Sequence, residues 1–147
     1  MPEKAARAKA AKNLARRKAT EPTARPKPTR PTDAARKFAI ESARLMQDDK
    51  CEDIVVLDLR GISPLCDYFV IGTGTSDRQM RAVADHIEML GKEHNDKPYG
   101  VGGHEEGIWI IVDFVDVIIH LFDEDRRRYY DLESLWGDGP RVEWMKK

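Results

Sequence analysis

Apolar positions first recur at helical spacing through Ala35, Phe38, Ala39, Ser42, Leu45 and Met46, which predicts a helix from an N-cap at Thr32-Asp33 to about Asp48. The pattern then changes. Ile54-Val55-Val56-Leu57-Asp58-Leu59 is β-branched and nearly all apolar, as a strand buried on both faces would be. Asp67-Tyr68-Phe69-Val70-Ile71 reads as a second strand, ending in the turn Gly72-Thr73-Gly74-Thr75. Ser76 and Gln79 have capping-box spacing, and Met80, Val83, Ala84, Ile87 and Leu90 form one stripe behind them, predicting a second helix. Tyr99-Gly100-Val101 predicts a short strand before the loop Gly102–Gly107. Ile108–Asp113 and Asp116–Phe122 are close enough to form a hairpin, and Asp123–Trp136 predicts a closing helix with acids in its first turn. The order α-β-β-α-β-β-β-α implies an α/β domain, a mixed, twisted sheet of about five strands with helices packed on it.

Charge divides the chain differently. Through residue 32 there are ten Lys/Arg against Glu3 and Glu21, a net +8, so the remainder of this chain of net charge -1 carries -9. Five prolines and only one large aliphatic residue, Leu14, fall in the same stretch, which predicts a disordered basic segment over 1–32. The domain is then expected over 33–137, with 138–147 as a C-terminal extension. An acidic body suits a basic partner, and a basic segment suits phosphate. Cys51 and Cys66 make no disulfide framework, and no stretch approaches the roughly 18 apolar residues that cross a bilayer. The expectation is a cytoplasmic chain without membrane contact.

Candidate chemistry is sparse. The Gly72-x-Gly74 turn lacks the third glycine of a dinucleotide fingerprint and the lysine of a P-loop. His86, His94, His104 and His120 show no paired ligand spacing, the cysteines lie fifteen positions apart, and Asp123-Glu124-Asp125 is explained by helix capping. Ser63, Ser76 and Ser134 have no partner base in sequence context. Neither catalysis, metal nor cofactor is therefore expected. Aromatic residues say more: seven of the domain's eleven, Trp109, Phe114, Phe122, Tyr129, Tyr130, Trp136 and Trp144, crowd into its last third. Trp109 alternates onto one strand face with Ile111 and Asp113, a mixture that fits a binding surface and a core about equally.

Several segments occur together and in order: Leu57-Asp58-Leu59, Asp67-Tyr68-Phe69-Val70-Ile71, Gly74-x-Ser76, Trp109-Ile110-Ile111-Val112-Asp113, Asp116-Val117-Ile118-Ile119-His120 and Tyr130-Asp131-Leu132-Glu133-Ser134-Leu135-Trp136. Over about Asp33 to Trp136 the chain resembles the Iojap family, the ribosomal silencing factors. That resemblance implies a nucleotidyltransferase-like topology without the active site. It also implies a translational repressor that binds the fourteenth large-subunit ribosomal protein at the intersubunit face and sterically blocks joining of the small subunit. The family's strand tryptophan corresponds to Trp109, and its Asp…Asp…His pattern to Asp113, Asp116 and His120. With Asp67, Ile111, Tyr130 and Trp136, these are the expected partner-binding residues. An rRNA contact by the basic segment and a homodimer complete the expected partners, and a metal-dependent nucleotidyltransferase or other nucleotide-binding enzyme is the alternative. Two positions depart from the family pattern. Gly102 stands where a glutamate is usual, and Val115 where the hairpin usually has glycine. A β-branched residue is strained at positive φ, so a different turn geometry is expected at Val115.

Overall fold

The computed structural model describes residues 32–64, 66–135 and 139–145. The basic segment and Trp136 lie outside them. Helix α1 runs Thr32–Asp48, followed by strands β1 (Glu52–Asp58) and β2 (Tyr68–Thr73), helix α2 (Asp77–Glu93), strands β3 (Gly100–Gly102), β4 (Trp109–Asp113) and β5 (Val117–Phe122), and short helices α3 (Glu124–Tyr130) and α4 (Leu132–Leu135). The strands form one mixed sheet in the order β1-β2-β5-β4-β3, in which only β2 and β5 run parallel.

Alternation along the strands divides the core between the two sheet faces. Val56, Val70, Ile110, Val112, Val117, Ile119 and Leu121 meet the stripes of α1 and α2. Val55, Leu57, Phe69, Ile71, Trp109, Ile111, Ile118 and Phe122 face the other way, where Leu59, Cys66, Tyr130 and Leu132 pack on them. Ser76 Oγ caps α2 by accepting from the Gln79 N–H at 3.0 Å, while Gln79 Oε1 accepts from the Thr75 N–H at 3.0 Å. The reciprocal bond thus lands one residue earlier than the usual capping box. Strand β2 runs two residues further than the hydrophobic run implies. Gly72 allows this, because a Cβ there would stand 2.3 Å from Met46 Cε.

Two expectations need correction. The closing helix is not continuous: Asp131 adopts the left-handed conformation (φ 48°) and ends α3, its N–H donating to the Arg127 carbonyl. Its carboxylate then accepts from Ser134 Oγ at 2.7 Å, so one residue ends α3 and braces α4. The β4–β5 turn, in turn, does take the glycine-like geometry. Val115 has φ 77°, and the Asp116 N–H donates to the Phe114 carbonyl at 3.0 Å, a tight γ-turn with positive φ at its centre. The buried Asp113 carboxylate accepts from the Val115 N–H at 2.7 Å and holds the turn in place. A left-handed residue with a Cβ costs roughly 1–2 kcal/mol, partly offset by the entropy that glycine loses on folding. Val115→Gly is therefore expected to stabilise the fold by about 1 kcal/mol in urea unfolding. An unchanged or lower midpoint would show that the turn carries no strain.

The carboxyl-terminal residues join this fold directly. The Asp58 N–H donates to the Pro140 carbonyl at 2.9 Å, and the Val142 N–H to the Val56 carbonyl at 2.8 Å. Trp144 donates its indole N–H to the Ile54 carbonyl at 3.2 Å, while its own carbonyl accepts from Arg44 Nε at 2.7 Å. Val142 and Trp144 are buried in the α1–α2 core. Residues 140–142 thus cover the outer edge of β1.

Candidate binding face

Trp109 opens β4 opposite Phe122, the last residue of β5, and His120 sits opposite Ile111. The indole lies on Phe122 with ring centroids 4.7 Å apart and on Tyr130 at 4.9 Å, and His120 meets Phe69 edge-on at 4.6 Å. The Trp109 indole N–H donates to His120 Nδ1 at 3.2 Å. An indole can only donate, so Nδ1 is the unprotonated nitrogen and the neutral ring carries its proton on Nε2. That atom is buried and has no hydrogen-bond partner among the described residues. Burial holds the imidazole neutral by pushing its pKa down to about 3.

Exposure is where the strand face departs most from a docking surface. Trp109 is only 2% exposed, and Ile111, Asp113, Asp116 and His120 are equally buried. Of the two readings that alternation left open for Trp109, surface or core, its burial favours the core. Among the expected partner-binding residues, Asp67 and Tyr130 keep intermediate exposure.

These residues also form two groups. Trp109, His120, Phe122 and Tyr130 gather at one end of the sheet. Asp113, Asp116 and Asp67 gather at the other, where the Asp67 N–H donates to the Asp116 carbonyl at 2.9 Å. The glycine turn belongs to the aromatic end, since the Gly74 N–H donates to the Phe122 carbonyl at 2.8 Å. A full strand length, on the order of 15 Å, thus separates the buried aspartates from that turn. Nucleotidyl transfer needs carboxylates beside such a turn. The nearby Asp123 is engaged as a cap, its carboxylate accepting from the Arg126 N–H at 2.7 Å. Among the described residues no three His, Cys, Asp or Glu side chains gather as metal ligands would. Burial pushes the Cys51 thiol up to about 11, which suppresses the thiolate a nucleophile would require.

Sequence reasoning missed the strut that holds the aromatic end. Arg127 donates through Nη1 to Thr73 Oγ1 at 2.8 Å and through Nε to Glu133 Oε1 at 2.8 Å, joining the end of β2 to α3 and α4. Nothing in the run Arg126-Arg127-Arg128 marks its middle member, yet Arg127 is the one of the three that is partly buried. Beside it Tyr129 stands 51% exposed, edge-on to Tyr130 at 5.0 Å.

This fold and strand pattern have counterparts. The family model for ribosomal silencing factor during starvation matches residues 32–147. The chain is similar to the ribosomal silencing factor RsfS of Bacillus subtilis, 42% identical over 99 residues, covering 67% of this chain and 84% of the relative. RsfS of Halalkalibacterium halodurans is 39% identical over 98 residues, with the same two shares. A crystal structure from Chromobacterium violaceum superposes with a TM-score of 0.66 at 34% identity, covering 80% of this chain and 95% of that one. With the family model spanning the whole folded region and these relatives matched over most of their length, the chain belongs to the ribosomal silencing factor family.

Proposed function

We propose that this chain represses translation by binding the large ribosomal subunit. Its partner there is the fourteenth large-subunit ribosomal protein at the intersubunit face, where the bound domain stands in the way of the small subunit. The observation that carries the reading is the family match over residues 32–147. Obstruction requires no chemistry: occupancy of the large subunit removes it from the joining equilibrium by mass action. The acidic body, -9 beyond residue 32, favours approach to a basic partner. No described helix is long and apolar enough to cross a membrane. On the family match, we place the chain in the cytoplasm with ribosomes.

The proposed contact is the sheet face built on Trp109, Ile111, Asp113, Asp116 and His120. Tyr130 and Asp67 are its accessible members, and Trp136 is included on the sequence alone. The buried members act by setting the shape of this face, while Tyr130 and the neighbouring Tyr129 supply aromatic contact. Co-sedimentation of the full-length chain with purified large subunits tests the reading, paired with light scattering of subunit joining. Stoichiometric binding and slowed joining are expected, and a Tyr129→Ala/Tyr130→Ala pair should weaken binding at least tenfold. Failure to co-sediment at both low and high salt would refute the proposal.

A further inference from the structure

The two edges of the sheet are treated differently. Residues 140–142 cover β1, whereas among the described residues no strand pairs with the outer side of β3. Open edges are ordinarily shortened, charged or covered, and β3 is short, with charged and apolar side chains both beside it. Between β3 and α2 runs a groove of about 510 Å³ lined by Asp85, Glu88, Met89, Lys92, Pro98 and Val101. Met89 is 61% exposed and Val101 39%, and both line the groove. Single exposed apolar residues need no explanation, but two that line one groove beside an open sheet edge offer a floor on which a segment of chain can rest.

The chain itself carries a segment suited to that task. Residues 1–31 precede α1, which runs antiparallel to α2: Asp49, just past the end of α1, pairs with His86 at 2.7 Å, while Phe38 and Glu41, in the middle of α1, meet His94 at the end of α2. The groove follows the later turns of α2, the end toward which the start of α1 is directed. Residues 16–30 span up to about 50 Å when extended, far more than the width of a helix. They carry six cations, Arg16, Arg17, Lys18, Arg25, Lys27 and Arg30, against Glu21 alone. Lys92 and Lys97 keep the groove from being simply acidic. Charge therefore draws the segment to the acidic body as a whole, and the apolar floor determines where it rests. The alternation Arg25-Pro26-Lys27-Pro28 suits that floor, since proline favours an extended backbone. Its rings can lie on Met89 and Val101 while the cations reach Asp85 and Glu88.

We propose that the groove between α2 and β3 is the docking site of this chain's own residues 16–30. Tethering supplies an effective concentration in the millimolar range, so a contact too weak to hold a separate peptide suffices. Rising salt releases it, because most of the attraction acts between solvated charges.

Two measurements on the full-length chain test this. Zero-length carbodiimide cross-linking of dilute protein, mixed with an isotopically labelled copy, should join Lys18 or Lys27 to Asp85 or Glu88 within one molecule. The yield should fall several-fold at high salt. Reversing charge in the segment alone, with Arg25→Glu and Lys27→Glu, should shift amide resonances across 85–101 and leave the rest of the domain unmoved. Links between labelled and unlabelled copies would assign the groove to a second molecule and overturn the proposal. It is equally overturned by links spread over distant acids such as Asp53 and Asp125, by amide shifts elsewhere or none, or by a segment that responds only when RNA is added.

Discussion

Trp109→Ala is expected to destabilise the domain by about 4 kcal/mol, a large part of what holds a domain of this size together. The indole is buried between Phe122 and Tyr130, and its N–H satisfies His120 Nδ1, so truncation opens a cavity and leaves a buried acceptor unpaired. Urea unfolding measures the loss. Trp109→Phe separates packing from polarity: it keeps a ring on Phe122 and gives up the donor, and should cost only about 1–2 kcal/mol. The pair also distinguishes the two roles of this residue in the proposed function. If Trp109 acts only by shaping the face, Trp109→Phe binds large subunits like the unaltered chain. Lost binding by a folded Trp109→Phe would mean that the indole is itself read by the partner. If Trp109→Ala leaves stability unchanged, the buried position is refuted.

That burial was not legible in the sequence. Alternation correctly separates Trp109 and Ile111 from Ile110 and Val112, but it does not say what covers either face. The cover over Trp109 comes from Tyr130 and Leu132, and these are placed by the left-handed turn at Asp131, within a stretch whose periodicity reads as one helix. Elements whose signals are local emerged well. The Ser76 cap and the Met80–Ile87 stripe define α2, and the apolar runs define β1, β2, β4 and β5. Val115 shows the opposite limit. The sequence argues against positive φ there, yet the carboxylate of Asp113 and the short connection between two buried strands impose it. Tertiary constraints outweigh a local preference worth one or two kcal/mol. The groove beside β3 was hidden for a third reason. Met89 falls outside the α2 stripe, and its significance depends on β3 being an edge, which only the sheet order reveals.

Acid is expected to unfold this domain through His120. The unfolded imidazole titrates near its ordinary value of about 6.5. In the fold, burial lowers that value to about 3. Above the first value both states are neutral and the group adds no pH dependence. Between the two values the unfolded chain takes up a proton that the folded chain refuses, so the folding equilibrium constant falls up to tenfold for each pH unit of acidification. Below about 3 both states are protonated and the effect levels off. The geometry gives the same sign: a proton on Nδ1 would confront the Trp109 N–H, donor against donor, between aromatic rings. Chemical denaturation of the full-length chain from pH 7 to pH 4, compared with His120→Gln, isolates this contribution. Glutamine keeps an acceptor within reach of the indole but cannot titrate. The variant should be less stable at pH 7, having lost ring packing against Phe69, yet its stability should decline less steeply with acid. His86, His94 and His104 provide the internal control, since each pairs with a carboxylate, Asp49, Glu41 and Asp85 respectively, and all three remain in the variant. Parallel pH profiles for the two proteins would show that His120 is not the residue through which acid acts.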